Sequence, residues 1–314
     1  MTGASNATRP LGALVTRALL AAAAVILLAA GGLSCNGTGG QSAPGGATAP
    51  LTGLCFSPYT QGSPASDAPA GTVDNLLGIV SPYANSIRTF GSTGSGSQTA
   101  TSAKALGLQV AAGADLETDQ ARNDLQVAGV VKLASSGYAD LAVIGEESLF
   151  FNFVSEQQLV NYINEVKRTG VPTTTSETWG ELIGHPRVVA ACDLLIANMF
   201  PYWENQDISK SIKYLESSYN KTKAAAGGKE VIIETGWPSA GATHGAAVAN
   251  PANAAYYLKA FTTWARSHKV RYFYFEAFDE PWKVAPEGEV GGHWGIWDAN
   301  GQMKPGMAAS FGKR

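Results

Sequence analysis

Eight short apolar runs, separated by stretches of helical spacing, constrain this chain more than any other feature. They are Gly53–Tyr59, Ser86–Gly91, Leu108–Asp115, Asp140–Glu147, Pro172–Trp179, Leu194–Tyr202, Val231–Trp237 and Arg271–Glu280. Runs this short and this apolar read as strands buried on both faces. Between them, Leu159, Tyr162, Ile163 and Val166 recur at helical spacing in Ser155–Arg168, with Ser155 and Gln158 placed for a capping box. Asn253–His268 repeats the pattern with Tyr256, Tyr257, Ala260, Phe261 and Trp264. Strand alternating with helix means a parallel sheet. Eight such units in about 250 residues fit an α/β fold, a (β/α)8 TIM barrel in a single domain. An open doubly wound sheet is the alternative, but no Gly-rich dinucleotide fingerprint follows the first run. The segment Gly91–Ser97 lacks the Lys-Ser/Thr ending of a phosphate loop and is expected to be a flexible loop.

The barrel is expected over residues 53–314. Ahead of it, Arg9 and Arg17 precede a solid apolar run from Ala18 to Ala30, and Gly31-Gly32-Leu33-Ser34-Cys35 follows. Basic, apolar, then small residues is the order of a secretory signal, here over 1–35. The apolar run is short against the roughly 20 residues of a bilayer span. Cys35 directly after it resembles a bacterial lipoprotein signal, so lipidation at Cys35 and simple cleavage nearby are the two expectations. Residues 36–52, rich in Gly, Ala, Thr, Ser and Pro, read as a flexible linker. The chain is therefore expected to be exported, as a cell-envelope lipoprotein or as a secreted or periplasmic protein. It would touch a membrane only through a lipid at Cys35. Cys55 and Cys192 are expected to be buried free thiols, with a disulfide as the alternative. Three Cys and four His, widely scattered, are too few for a structural zinc site. A net charge of −3 offers no basic surface to nucleic acid. A monomer without metal or organic cofactor is expected.

What ends the runs points to chemistry. Asp115, Glu146 and Glu147, Glu177 and Trp179, Tyr202 and Trp203, Glu234 and Trp237, and Glu280 and Trp282 all stand at or just past a run. Acids and rings gathered at one mouth suit a sugar, whose hydroxyls take carboxylates and whose apolar faces take rings. Glu234 follows Val231-Ile232-Ile233 at once, and Gly236-Trp237-Pro238 stops the strand behind it. A carboxylate there needs a partner or a polar pocket. Glu147 ends Leu141-Ala142-Val143-Ile144-Gly145-Glu146-Glu147. In an extended strand these two adjacent acids would point to opposite sides, so only one would face the mouth. Ends of the fourth and seventh strands can face each other across a barrel. Glycoside hydrolysis needs such a pair, about 5–5.5 Å apart for retention and about 6.5–9.5 Å for inversion. Glu280 and Lys283, past the aromatic run Tyr272–Phe275, are candidates for a charged network around the nucleophile, and His293-Trp294-Gly295-Ile296-Trp297 for a wall of the cleft.

These residues together resemble glycoside hydrolase family 17, the β-1,3-glucanases and their relatives, in a bacterial-type exported form. The resemblance runs from about Gly53 to Pro305. Glu234-Thr235-Gly236-Trp237-Pro238-Ser239 is similar to the family's nucleophile motif, and Phe275–Lys283 with Gly288-Glu289 and Gly292–Gly295 to its closing segment. Phe200-Pro201-Tyr202 after the sixth run matches the family's N-x-x-P-Y pattern, and Ile87–Gly91 the family's second strand. The resemblance implies a (β/α)8 barrel and a retaining double displacement on β-1,3-glucan. It implies Glu234 as nucleophile, Glu147 as acid/base, and Glu280, Lys283 and Glu289 as a supporting charged network. Tyr59, Arg88, Glu146, Tyr202, Trp237, Glu280, Trp282, Lys283 and Glu289 are the expected substrate contacts. One position departs: Glu146 stands where the family has Asn. A β-1,3-glucanosyltransferase using the same site, and a glucan-binding protein with an impaired site, are the alternatives.

Overall fold

A computed structural model describes residues 49–314. The apolar run Ala18–Ala30, Cys35 and the linker as far as residue 48 lie outside the described residues. Residues 49–52, expected to belong to the linker, are part of the fold. Leu51 is wholly buried, the Gly312 amide donates to the Ala49 carbonyl, and Thr52 Oγ1 donates to the Tyr272 carbonyl. An apolar Leu in a Gly/Ala/Thr tract was the signal that the fold had begun.

The eight strands are β1 (Leu54–Cys55), β2 (Ser86–Arg88), β3 (Gln109–Ala114), β4 (Leu141–Glu146), β5 (Thr173–Thr178), β6 (Leu195–Asn198), β7 (Val231–Thr235) and β8 (Tyr272–Tyr274). Each pairs in parallel with the next, and β8 closes on β1, so the sheet is a closed barrel rather than an open one. Outside it run α1 (Thr72–Val80), α2 (Ser95–Ala105), α3 (Gln120–Ser135), α4 (Glu156–Lys167), α5 (Trp179–Gly184), α6 (Pro186–Ala191), α7 (Ser211–Ala225), α8 (Pro251–His268) and the short α9 (Val284–Glu287).

Local chemistry explains the helix ends. Ser155 and Gln158 form the expected capping box at α4. Helix α8 starts at Pro251, because Asn250 accepts from the Asn253 amide and Pro is preformed for the first helical position. The segment Gly91–Ser97 is not simply a flexible loop. Asp67 accepts from the Ser95 amide at 2.7 Å, and α2 begins there.

The core has two layers. Cys55, Ala111, Leu141, Val143, Ile196, Ile232 and Phe273 fill the barrel interior. The other face of each strand packs on the helices, through residues such as Ile87, Ile144, Ala197 and Ile233. Side chains alternate along a strand, so this division fixes which residues reach the mouth. Ile232 points inward, hence Glu234 does; Ile196 points inward, hence Asn198 does; Ile87 points outward, hence Arg88 points in. Strand β5 is polar yet buried. Ser176 donates to Asn198 at 2.7 Å, and Thr174 donates to the Leu194 carbonyl at 2.7 Å, which gives two of its buried hydroxyls partners, while Thr175 Oγ1 has none among the described residues. Cys55 and Cys192 are buried free thiols.

Candidate active site

The site begins with an irregularity in β4. Pairing with β5 shifts register between Val143 and Glu146. Gly145 has φ 85°, and Glu147 itself has φ 49°, in the left-handed region that non-glycine residues seldom occupy. The strict alternation expected for Glu146 and Glu147 therefore fails, and both carboxylates reach the mouth. Asn198 joins them. Its Nδ2 donates to Glu146 Oε1 at 2.7 Å and to Glu147 Oε1 at 3.1 Å, while its Oδ1 accepts from Ser176. One amide thus spends both N–H groups on keeping two neighbouring carboxylates apart.

Arg88 continues the chain of contacts. Its Nη2 donates to Glu146 Oε2 and its Nη1 to Glu234 Oε2. Side chains from β2, β4, β6 and β7 form one network running Glu147, Asn198, Glu146, Arg88, Glu234. Arg88 and Glu234 are each 1% exposed, whereas Glu146 remains open to the cleft at 16%. Glu234 Oε1 has no hydrogen-bond partner among the described residues. Burial pushes the Glu234 carboxyl up to about 8; the Arg88 guanidinium pulls the other way, and Glu146 and Glu147 add to the rise. Gly236 sets the chain's exit from β7, since a Cβ there would lie 1.9 Å from the Phe275 carbonyl oxygen.

A second charged group lies beside it. Lys283 Nζ contacts Glu276 Oε2 at 2.6 Å and Glu280 Oε2 at 2.7 Å, all three nearly or fully buried. Burial disfavours the ammonium, but the two glutamates outweigh it and hold Lys283 charged. Glu280 also accepts from Ser57 Oγ and, at 3.0 Å, from Trp282 Nε1. Burial opposes its charge, yet Lys283 above all, with Ser57 and Glu276, leaves its carboxyl below the usual range. Burial raises Glu276 well above it, with Lys283 opposing. The Lys283 ammonium also sits over the Phe275 ring, 4.4 Å from its centre.

Glu146, Glu147, Glu234, Arg88, Glu280, Trp282 and Lys283 therefore lie in two linked groups at one mouth. Tyr59 is half-buried on the β1–α1 loop, near Asp67 and Glu280. Three expected contacts are placed elsewhere. Tyr202 and Trp237 are each 1% exposed, so a sugar cannot stack on them. The segment after β7 covers them: Tyr202 donates to the Ala242 carbonyl at 2.6 Å and Trp237 Nε1 to the Val248 carbonyl at 3.1 Å. Glu289 is exposed and makes no hydrogen bond or ion pair among the described residues; Glu287 is the further acid whose charge acts on Lys283. In the expected cleft wall Trp294 and Trp297 are buried, and His293 alone is open. Half-exposed rings do occur, at Phe90, Phe200, Trp203, Phe275 and Trp282.

Two residues escaped sequence reasoning. Asn198 was visible as the uncharged polar end of an apolar strand and as the first residue of the N-x-x-P-Y match. Glu276 was visible as an acid inside an aromatic run, which only a buried cation could support.

Comparison with known proteins agrees with this geometry. The model of the BtgE/BtgC glycoside hydrolase domain matches residues 53–295. A glucan 1,3-beta-glucosidase of Saccharomyces cerevisiae is 26% identical over 197 residues, covering 54% of this chain and 62% of that protein. A probable beta-glucosidase btgE of Aspergillus clavatus is 28% identical over 267 residues, covering 81% and 46%. The chain thus spans only part of the length of these relatives. The crystal structure of a glycoside hydrolase family 17 β-1,3-glucanosyltransferase from Rhizomucor miehei superposes with a TM-score of 0.74 at 27% identity, covering 82% of this chain and 97% of that one. An eight-stranded closed barrel, two acids tied through Arg88 and Asn198, and a family match across nearly all the strands and their mouth place this chain in the BtgE/BtgC glycoside hydrolase domain family.

Proposed function

We propose that the protein is a retaining glycosidase acting on β-1,3-linked glucan, with Glu234 as nucleophile and Glu147 as acid/base. The observation that carries this is the single network that ties the two carboxyl groups together from opposite strands. In it, Arg88 engages Glu234 Oε2 and leaves the buried Oε1 without a hydrogen-bond partner among the described residues. In the first step Glu147 gives its proton to the leaving oxygen as Glu234 Oε1 attacks the anomeric carbon and the glycosidic bond breaks. In the second, Glu147 takes a proton from water, which displaces Glu234. The substrate class is supported by the glucan 1,3-beta-glucosidase of yeast and by the Rhizomucor structures, one of them an active-site mutant in complex with laminaritriose.

The Rhizomucor enzyme, matched over 97% of its length, is a β-1,3-glucanosyltransferase, which favours a second reading. A sugar hydroxyl would then replace water in the second step. Incubating the protein with a linear β-1,3-glucan and resolving products by chain length tests both. Shorter chains alone mean hydrolysis, and added longer chains mean transfer. In Glu234→Ala turnover is expected to fall on the order of 10⁴-fold or more, and unchanged turnover would end the assignment. The proposal includes export, supported by the order of basic, apolar and small residues before Cys35. A lipid mass on Cys35 that vanishes in Cys35→Ala would mark the anchored form.

A further inference from the structure

Glu177 is a buried acid for which the double displacement has no use. It sits on β5 opposite Ala197 of β6, so it faces away from the barrel interior, and it is wholly buried. Its Oε1 accepts from the Leu149 amide at 2.9 Å, and the Phe150 amide is close enough to favour the charged carboxyl. These two amides belong to the turn that begins at Glu147. The other oxygen, Oε2, has no hydrogen-bond partner, and no cation pairs with Glu177 among the described residues. The charged groups that act on it are Glu147 and Glu146, both acids. A buried carboxylate with no cation and two acidic neighbours is strongly disfavoured against its protonated form.

The turn needs such support. Glu147 is held at φ 49°, a strained conformation that persists only where its surroundings over-determine it. Its amide donates to the Ser176 carbonyl at 2.8 Å, its carbonyl accepts from the Phe151 amide at 3.0 Å, and Ser148 Oγ accepts from the Glu146 amide at 3.1 Å. Glu177 adds a side-chain restraint from a neighbouring strand, at Leu149 and Phe150, to the backbone bonds of the turn.

Taking Glu147 as the acid/base proposed above, we infer that Glu177 is a positioning residue that clamps the turn behind Glu147 as a neutral carboxylic acid. Neutrality matters as much as the clamp. A charge there would repel the Glu147 carboxylate left by the first step and hold its proton more tightly, which makes Glu147 a weaker acid toward the leaving oxygen.

Two variants test this. Glu177→Gln keeps a carbonyl oxygen for the Leu149 and Phe150 amides and carries no charge. It should leave kcat and both limbs of the pH–rate profile where they are. A basic limb displaced to lower pH would show that a negative charge had been removed from beside Glu147, and would overturn the inference. Glu177→Met fills similar space without an acceptor. It should lower kcat on the order of 10- to 100-fold with KM nearly unchanged and raise hydrogen exchange at Leu149 and Phe150. Unchanged kcat and exchange would overturn the clamp. If Glu177→Met does not fold, Glu177→Gln decides through exchange and pH profile. If the wild-type protein turns over no glucan, the glycosidase reading fails, while exchange at these two amides still tests the clamp.

Discussion

Glu146 is the residue on which the site's electrostatics turn. It shares Arg88 with Glu234 and shares Asn198 with Glu147, so its charge acts on both members of the pair. The sign of its effect is fixed. Burial is the main cause that raises Glu234, and the Glu146 charge raises it further. A nucleophile works ionised, so its activity appears as pH rises through its pKa. Replacing Glu146 by Asn removes that charge and leaves Arg88 to Glu234 alone; both changes favour the ionised nucleophile. The acid limb of kcat/KM for Glu146→Asn is therefore expected at lower pH than in the wild type. A limb that stays put, or moves up, would mean that Glu146 does not act on Glu234 as the geometry requires. The sequence showed Glu146, Glu147 and Glu234 but not how they meet. That depended on the register shift after Val143 and on the left-handed backbone of Glu147, and no run of residue types announces either one.

At the scale of elements, the strand ends are what the fold delivers. The eight apolar runs were legible because burial on both faces leaves little choice of residue, and the inward or outward parity of Ile232, Ile196 and Ile87 then carries Glu234, Asn198 and Arg88 to the mouth. The loops were less legible. Tyr202 and Trp237 looked like sugar platforms, but the segment after β7 folds over them, a tertiary event that spacing cannot reveal. The same loop depends on Gly236, whose missing Cβ lets the chain leaving β7 pass close to the Phe275 carbonyl; a Cβ there would lie 1.9 Å from that oxygen. Gly236→Ala forces backbone apart beside Glu234. It is expected to cost about 1–3 kcal/mol in stability and on the order of 10²-fold in kcat/KM, read by denaturant melts and steady-state kinetics. Wild-type stability and kinetics in this variant would mean that the approach is looser than described.

For the whole molecule, the closed barrel gathers more acid than base at one end. Among the described residues, Glu146, Glu234, Glu276 and Glu280 form their ion pairs with Arg88 and Lys283, and Lys304 acts on Glu276 from further off. Even with some of these acids protonated, the acids there outnumber the cations, which disfavours an anionic sugar. A neutral linear glucan is expected to have a higher kcat/KM than a sulfated one of the same length and linkage, and the gap should narrow as salt screens the repulsion. Competition between the two at low and high ionic strength reads this directly; faster turnover of the sulfated chain would contradict it. The proposed reaction is a double displacement by Glu234 and Glu147 on β-1,3-glucan. The most direct test is a proton NMR time course of the anomeric signals as the wild-type protein cleaves a linear β-1,3-gluco-oligosaccharide. Two inversions at one carbon restore its configuration, so the β anomer of the new reducing end should appear first, and the α anomer only later by mutarotation. An α anomer appearing first, or an unchanged substrate with well-folded protein, would contradict the account.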